Sequence, residues 1–182
     1  MTMTSAAAIP LLKSLTAIPY LDAAGKLPGA LQGKVGVYAI FDDTSTLQYV
    51  GYSRDVLLSL RQHLVRRPAA CHWLKVQTIE RPDRSQLEAI RAAWIAENGT
   101  TPAGNGAEAN LWSQPLDAKQ QMTPTEQTAY AEAVDELTQS KLLKQVARRV
   151  EADILAVLQA RGVQEEIRFN PKLKEAGLLD LK

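Results

Sequence analysis

Two tyrosines stand out in this sequence as groups able to do chemistry. Tyr38 closes the triplet Gly36-Val37-Tyr38, and Tyr49 opens the triplet Tyr49-Val50-Gly51, eleven residues later. Paired strands would bring the two phenols together on one rim of a small sheet, although strand tyrosines are also ordinary packing residues of a two-sided sheet. The remaining reactive groups are few. Cys71 is the single cysteine, which excludes an intrachain disulfide framework and a multi-cysteine zinc site. It reads as a small residue at a helix-to-strand junction; a redox role would need a lowered thiol pKa, for which Arg66, Arg67 and His72 offer nearby charge in sequence. His63 and His72 are the only histidines, so a histidine-rich metal centre is excluded. The Arg66-Arg67 pair reads either as solvated surface or as a phosphate-backbone contact.

Positioning these groups requires a compact α/β unit. Lys34–Phe41 is apolar on both alternating faces, as expected for a strand covered on two sides. A turn at Asp42–Ser45 leads into a second strand over 47–52, giving a hairpin. Ser53 can cap a helix running through His63, with Val56, Leu57, Leu60 and Leu64 at helical spacing and Pro68 beyond its end. Trp73–Ile79 is a third strand. Asp83 caps a second helix with Gln86 as its capping-box partner, Leu87, Ile90 and Trp94 as its buried stripe, and Asn98-Gly99 as its end. Before this unit lies a Pro/Gly/Ala-rich arm with one helical turn near Leu11–Leu15. After it, an irregular connection over 99–122 precedes a strong helix start at Thr123-Pro124-Thr125-Glu126. Apolar residues Tyr130, Val134, Leu137, Leu142, Val146, Val150, Ile154 and Val157 then predict one long helix, or two meeting near Ser140. The tail over 163–169 suggests a short strand, followed by a helical turn ending before Gly177.

The order hairpin, helix, strand, helix, with both tyrosine triplets in the hairpin, resembles the GIY-YIG nuclease family. The likeness runs from Val35 to Asn105 and takes in Arg54-Asp55-Val56, Leu60-Arg61-Gln62-His63 and the segment from Pro102 to Asn105. It implies metal-dependent hydrolysis of nucleic-acid phosphodiesters, DNA or RNA, with Mg²⁺ or Mn²⁺. By resemblance Tyr38 would be the general base on the attacking water, Tyr49 a second tyrosine near the phosphate, and Asn105 the residue that positions the active-site loop. A glutamate on the second helix would hold the metal, and an arginine on the first would grip the phosphate as a planar fork.

Two positions depart from the family pattern. Ten residues after Tyr49, where the arginine belongs, stands Ser59. Arg61 lies two residues further on, roughly 200° around a helix, and Arg54 would approach from another direction. With His63, which is typical of the family, these are the candidate substrate-binding residues. The position of the metal glutamate, twelve before Asn105, is Ala93; Glu97, one turn later on the same face, is the candidate metal ligand. A closer likeness within the family is to the N-terminal domain of plastid monothiol glutaredoxins, which also lacks the arginine and has counterparts of Cys71 and Glu97. This implies a cyanobacterial or plastid branch. The absence of a CxxC or CGFS sequence excludes a glutaredoxin activity for this chain.

Composition agrees with a soluble protein. The 182 residues are 46% hydrophobic and 23% charged, with a net charge of +1, the mix of a chain that buries a core and not of a polybasic coat protein. No apolar run reaches the roughly 20 residues of a membrane span, and the N-terminus lacks a basic signal region, so the expected location is cytoplasmic. By segment the charge is +1 over 1–33, +2 over 34–105 and −2 over 106–182. The expected organisation is an N-terminal arm (1–33), an α/β GIY-YIG-like domain (34–110) with a small three-stranded mixed sheet and flanking helices, and a C-terminal helical extension (111–182). Two functions follow: a nuclease with a partly degenerate site, or a non-catalytic descendant that binds nucleic acid or a protein partner through its C-terminal helices.

Overall fold

The structure, a computed structural model, describes residues 8–182. The chain divides into two compact units: Met1–Tyr20, Pro28–Leu60 and Ala69–Ala109 form the first, and Leu21–Leu27, Arg61–Pro68 and Asn110–Lys182 the second.

The first unit is built on a sheet of β1 (Ile18–Pro19), β2 (Val35–Phe41), β3 (Leu47–Ser53) and β4 (Trp73–Ile79), in the order β1-β4-β2-β3. Every pairing is antiparallel, which corrects the expectation of three mixed strands. The hairpin makes β3 antiparallel to β2, and the return through helix α1 (Val56–Arg66) brings β4 along the other side of β2 in the direction of β3. The fourth strand comes from the arm, where Ile18 faces Leu74 and Pro19 faces Trp73. A proline is tolerated there because β1 is an edge strand. The hairpin turn is organised by Asp42, whose carboxylate accepts the N–H groups of Thr44 at 2.9 Å and Thr46 at 3.0 Å.

Helix α2 (Arg84–Asn98) starts at Asp83, which accepts the Gln86 N–H at 3.1 Å, and ends at Gly99 in the left-handed region, as the sequence predicts. Its stripe of Leu87, Ile90 and Trp94 packs with Val37, Ala39, Leu47, Val50 and Leu12 into one buried cluster. Each buried Val, Leu or Ile side chain of the cluster contributes about 1.5–3 kcal/mol of transfer free energy. Because side chains alternate along a strand, Val37, Ala39 and Val50 define the face of the sheet beneath α2, and Tyr38, Ile40 and Tyr49 point to the other face. The arm's helical turn is a 3₁₀ turn over Leu12–Ser14, and Leu12 belongs to the cluster. Helix α1 begins at Val56 and not at Ser53. Asp55 supplies the cap by accepting the Leu58 N–H at 3.2 Å, while the Ser53 hydroxyl is engaged by the Asp55 N–H at 3.1 Å.

The second unit holds α3 (Ala109–Ser113), β5 (Leu116–Asp117), α4 (Pro124–Glu132), α5 (Glu136–Ala160) and β6 (Leu178–Leu179). The connection over 99–122 is therefore more structured than predicted, and β5 pairs with β6. Helix α4 starts with the full Thr123/Glu126 capping box. The break between the two long helices falls at Ala133–Asp135 rather than near Ser140, because Asp135 caps α5 by accepting the Thr138 N–H at 2.8 Å and its hydroxyl at 2.7 Å. The inward face of α5 is Leu143, Val146, Ala147, Val150, Ile154 and Leu158, which includes Val146, Val150 and Ile154 of the predicted stripe. Three other residues of that stripe face solvent: Val134 (98% exposed), Leu137 (66%) and Val157 (42%). The expected strand over 163–169 reduces to a bridge between Phe169 and Leu181, and a 3₁₀ turn over Leu173–Ala176 ends at Gly177 with φ 73°.

Candidate functional site

The register of the hairpin sets Tyr38 opposite Gly51 and Ile40 opposite Tyr49. Both phenols therefore rise from the same face, with ring centroids 6.2 Å apart and ring planes inclined by 42°. Gly51 lies beneath them. A Cβ at that position would stand 2.5 Å from Cε1 of Tyr49 and 2.9 Å from the hydroxyl oxygen of Tyr38, so glycine is what allows the two rings to close over the strand. Tyr38 is buried and Tyr49 half-buried. The third member of the group is Asn105, in a 3₁₀ turn over Ala103–Asn105. Its Oδ1 accepts the Val50 N–H and its Nδ2 donates to the Val50 carbonyl, each at 2.8 Å. Asn105 thus occupies the outer edge of β3 in the middle of the second triplet. Tyr38, Tyr49 and Asn105 are thereby gathered at three consecutive positions of β3, 49 to 51.

The other candidates are placed elsewhere. Ser59 donates its hydroxyl to the Ser53 oxygen at 2.8 Å and supplies no charge. Arg54 is exposed at the end of β3. Arg61 and His63 belong to the second unit. There Arg61 is bonded to Glu165 at 3.3 Å. His63 is buried with its ring 5.5 Å from that of Trp112; burial, aided by the charge of Arg66, pushes its pKa down to about 3, so the imidazole is neutral at physiological pH and carries no charge for a phosphate. Arg66 is also committed, donating to the Trp112 carbonyl at 2.8 Å and to both Asp180 oxygens at 3.2 and 3.1 Å, which answers the open question of its solvation. Cys71 is buried.

Glu97, the candidate metal ligand, has a different occupation. One carboxylate oxygen accepts the Leu12 N–H at 2.7 Å and the other the Lys13 N–H at 2.9 Å. Lys75 completes the grip on the arm by donating to the Leu12 carbonyl at 3.1 Å. The Lys13 N–H foremost, then the Leu12 N–H and the charges of Lys13 and Lys75, hold the Glu97 carboxyl below its ordinary value against the opposing effect of burial. Moreover, α2 covers the sheet face opposite the tyrosines. Among the described residues no three His, Cys, Asp or Glu side chains converge. The donors as placed therefore do not fit a divalent ion at the Tyr38–Tyr49 rim.

One group was not foreseen in the sequence. Tyr52 donates its hydroxyl to Glu88 at 3.1 Å, Arg84 Nε donates to the same oxygen at 2.9 Å, and the Arg91 guanidinium lies 5.6 Å from the Tyr52 ring centroid. The Arg84-Glu88 spacing of i, i+4 was its only local signal.

No family model matches the chain. It is similar to the bifunctional monothiol glutaredoxin-S16, chloroplastic, of Arabidopsis thaliana, with 32% identity over 109 residues. The matched region is 56% of this chain and 37% of the relative, so the chain spans little more than a third of that protein's length. The similarity supports the link to a plastid relative drawn from the motifs. No helix among the described residues is long and apolar enough to cross a membrane.

Proposed function

We propose that the first unit is a GIY-YIG-type nuclease-fold domain directed at nucleic-acid phosphodiesters, engaged at the rim formed by Tyr38, Tyr49 and Asn105. The observation that carries this reading is the closure of the two phenols over Gly51 on a strand clamped by Asn105. Both glycine-tyrosine triplets and the late asparagine thereby acquire a joint geometric reason that general packing of a sheet does not require. In this reading Tyr38, as the phenolate, accepts a proton from the attacking water while the water oxygen bonds to phosphorus and the P–O bond to the leaving oxygen breaks, and Tyr49 donates a hydrogen bond toward the phosphate. The neutral Ser59 leaves the phosphate without the family's cationic fork, a loss of about 10²–10³ in rate on the scale of a lost transition-state donor, and with Glu97 engaged by the arm and no carboxylate placed at the rim hydrolysis there would be slower still.

A second reading, a non-catalytic descendant that binds nucleic acid, is favoured by one specific observation: both Glu97 oxygens are taken by the arm, on the face away from the tyrosines. Plasmid relaxation in Mg²⁺ or Mn²⁺ separates the two. Nicking that is lost in Tyr38→Phe supports hydrolysis at this rim. Nicking indifferent to Tyr38→Phe and Glu97→Ala, or absent while the protein still retards DNA in a gel, supports the second reading.

A further inference from the structure

Helix α2 leaves one end of the sheet face beneath it uncovered. Side chains alternate along β2 and β4, so Phe41 continues the row of Val37 and Ala39, and Trp73 and Lys75 stand beside it, Trp73 facing Phe41 and Lys75 facing Ala39 in the register. Leu87, Ile90, Trp94 and Leu12 pack over Val37 and Ala39. The end of the row stays open. Trp94 and Trp112 are fully buried, but Trp73 is 38% exposed. Phe41 and Trp73 form the apolar floor of a cleft of about 350 Å³, with Ala17 of the arm and Ser45 of the hairpin turn as its walls and Lys75 as its one charged lining residue.

Lys75 gives this apolar cleft a polarity. Its Nζ lies 5.6 Å from the Phe41 ring centroid and donates to the Leu12 carbonyl at 3.1 Å. An ammonium carries three N–H donors, so two remain, on a group whose position the ring and the carbonyl already fix. The carboxylate that feels its charge, Glu97, gives both oxygens to the Leu12 and Lys13 N–H groups and feels the charge of Lys13 as well. Two ammonium groups thus stand against one carboxylate, and a positive charge is left over. The other acids of this end, Asp42 and Asp43, belong to the hairpin turn and line no part of the cleft. Asp42 is engaged by Thr44, Thr46 and Gln48, and Asp43 is exposed to solvent, where water screens it. Among the described residues the Ser45 hydroxyl has no hydrogen-bond partner.

We propose that this cleft binds a planar aromatic carboxylate, its ring laid against Trp73 and its carboxylate accepting from Lys75 Nζ, with the Ser45 hydroxyl as a second donor. A flat ring removes exposed indole surface from water in an offset or edge contact. The volume lies within the range of small-molecule sites, roughly 300–1,000 Å³, whose walls are apolar with a few polar groups that fix orientation. A single ammonium at the wall then favours an anion over a neutral ring of the same shape. The proposal is independent of the nucleic-acid reading, because Phe41, Trp73 and Lys75 lie on the face of the sheet away from Tyr38 and Tyr49.

The test is proton–nitrogen correlation NMR of the full chain at neutral pH, titrated with cinnamate and with cinnamamide, its neutral isostere. The chain has three tryptophans, and Trp73→Phe identifies the indole N–H signal of the exposed one. Cinnamate should shift that signal and the amides of 41–45 saturably while the Trp94 and Trp112 indoles stay in place. It should bind at least about fivefold more tightly than cinnamamide, the worth of one partly exposed charged contact. Trp73→Ala should abolish the shifts from both probes. Lys75→Met should bring cinnamate down to the affinity of cinnamamide, and Lys75→Arg should keep the preference for the acid. Lys75 also holds the arm, so if Lys75→Met fails to fold, the acid-to-amide ratio in the wild type and the shifts in Trp73→Ala decide. Equal affinity for acid and amide, shifts that survive Trp73→Ala, or no saturable shift with either probe would overturn the proposal. A Trp73 signal that moves with protein concentration alone would overturn it too, by assigning the cleft to a second copy of this chain.

Discussion

Asn105 and Val50 form a closed pair: the carboxamide of the first satisfies both the N–H and the C=O of the second at 2.8 Å. An edge strand normally presents such groups to solvent or to another chain, and here a single side chain completes the strand at the middle of the second triplet. Replacing Asn105 should therefore cost stability as well as any activity. Asn105→Ala leaves two backbone groups unsatisfied, and a loss of about 1–3 kcal/mol is expected. Asn105→Asp should cost at least as much at neutral pH, because a carboxylate oxygen would face the Val50 carbonyl. Urea unfolding of the three proteins gives the comparison; equal midpoints would remove the clamp from the account of this fold.

Gly51→Ala should disturb both tyrosines. The added Cβ would lie within 2.5 Å of the Tyr49 ring and 2.9 Å of the Tyr38 hydroxyl, distances that force one or both rings aside. Overpacking of this kind costs about 1–3 kcal/mol. In a Tyr49→Ala background the same change should cost measurably less, because the nearest atom is gone, so a double-mutant cycle should return a coupling between positions 49 and 51. Additive effects in thermal unfolding would mean that the rings have room to relax.

The hairpin, α2 and its caps were legible in the sequence because local rules agree there: alternation, Asp83 before the stripe, and Asn98-Gly99 after it. Tyr38 and Tyr49 were legible as a pair because the register of a short hairpin is set by its turn. The role of Glu97 was not legible. Its partners Leu12 and Lys13 lie far away in sequence and offer only backbone N–H groups, which every residue has, so nothing in their identity marks the contact. The break between α4 and α5 was misplaced for a related reason. Val134 and Leu137 continue an apolar spacing of three and four residues, yet the Asp135 cap restarts the helix and turns both to solvent. Periodicity reports the inward face only while the helix is unbroken.

Glu97 should act as the pH-dependent anchor of the arm. Its carboxyl is held below its ordinary value of 4.5 by the Lys13 and Leu12 N–H groups. A carboxylate whose pKa is lower in the folded state stabilises it fully above its unfolded pKa, and that contribution is lost as the pH falls through the lowered value. Amide exchange at Leu12 and Lys13, corrected for intrinsic rates, should show protection that falls on acidification in the wild type. In Glu97→Gln it should be low at every pH, since the amide offers one acceptor where the carboxylate offers two. Unchanged protection in the variant would show that Lys75 and the packing of Leu12 suffice to hold the arm.

His63 should make the second unit acid-sensitive. Burial and the charge of Arg66 push its pKa down to about 3, whereas in the unfolded chain it titrates near 6.5. The unfolded state therefore binds a proton first as the pH falls, so the stability due to neutral His63 is complete above about 6.5 and is lost between there and about 3, on the order of 1 kcal/mol per pH unit. His63→Phe keeps a ring against Trp112 and removes the titration. It should be less stable than the wild type at pH 7, where it lacks the bond that His63 makes with the Trp112 backbone. The deficit should shrink as the pH falls toward 4, because only the wild type pays to keep the imidazole neutral. Denaturant midpoints for both proteins across that range give the difference curve; a constant offset would mean that the folded state accommodates the imidazolium at no cost.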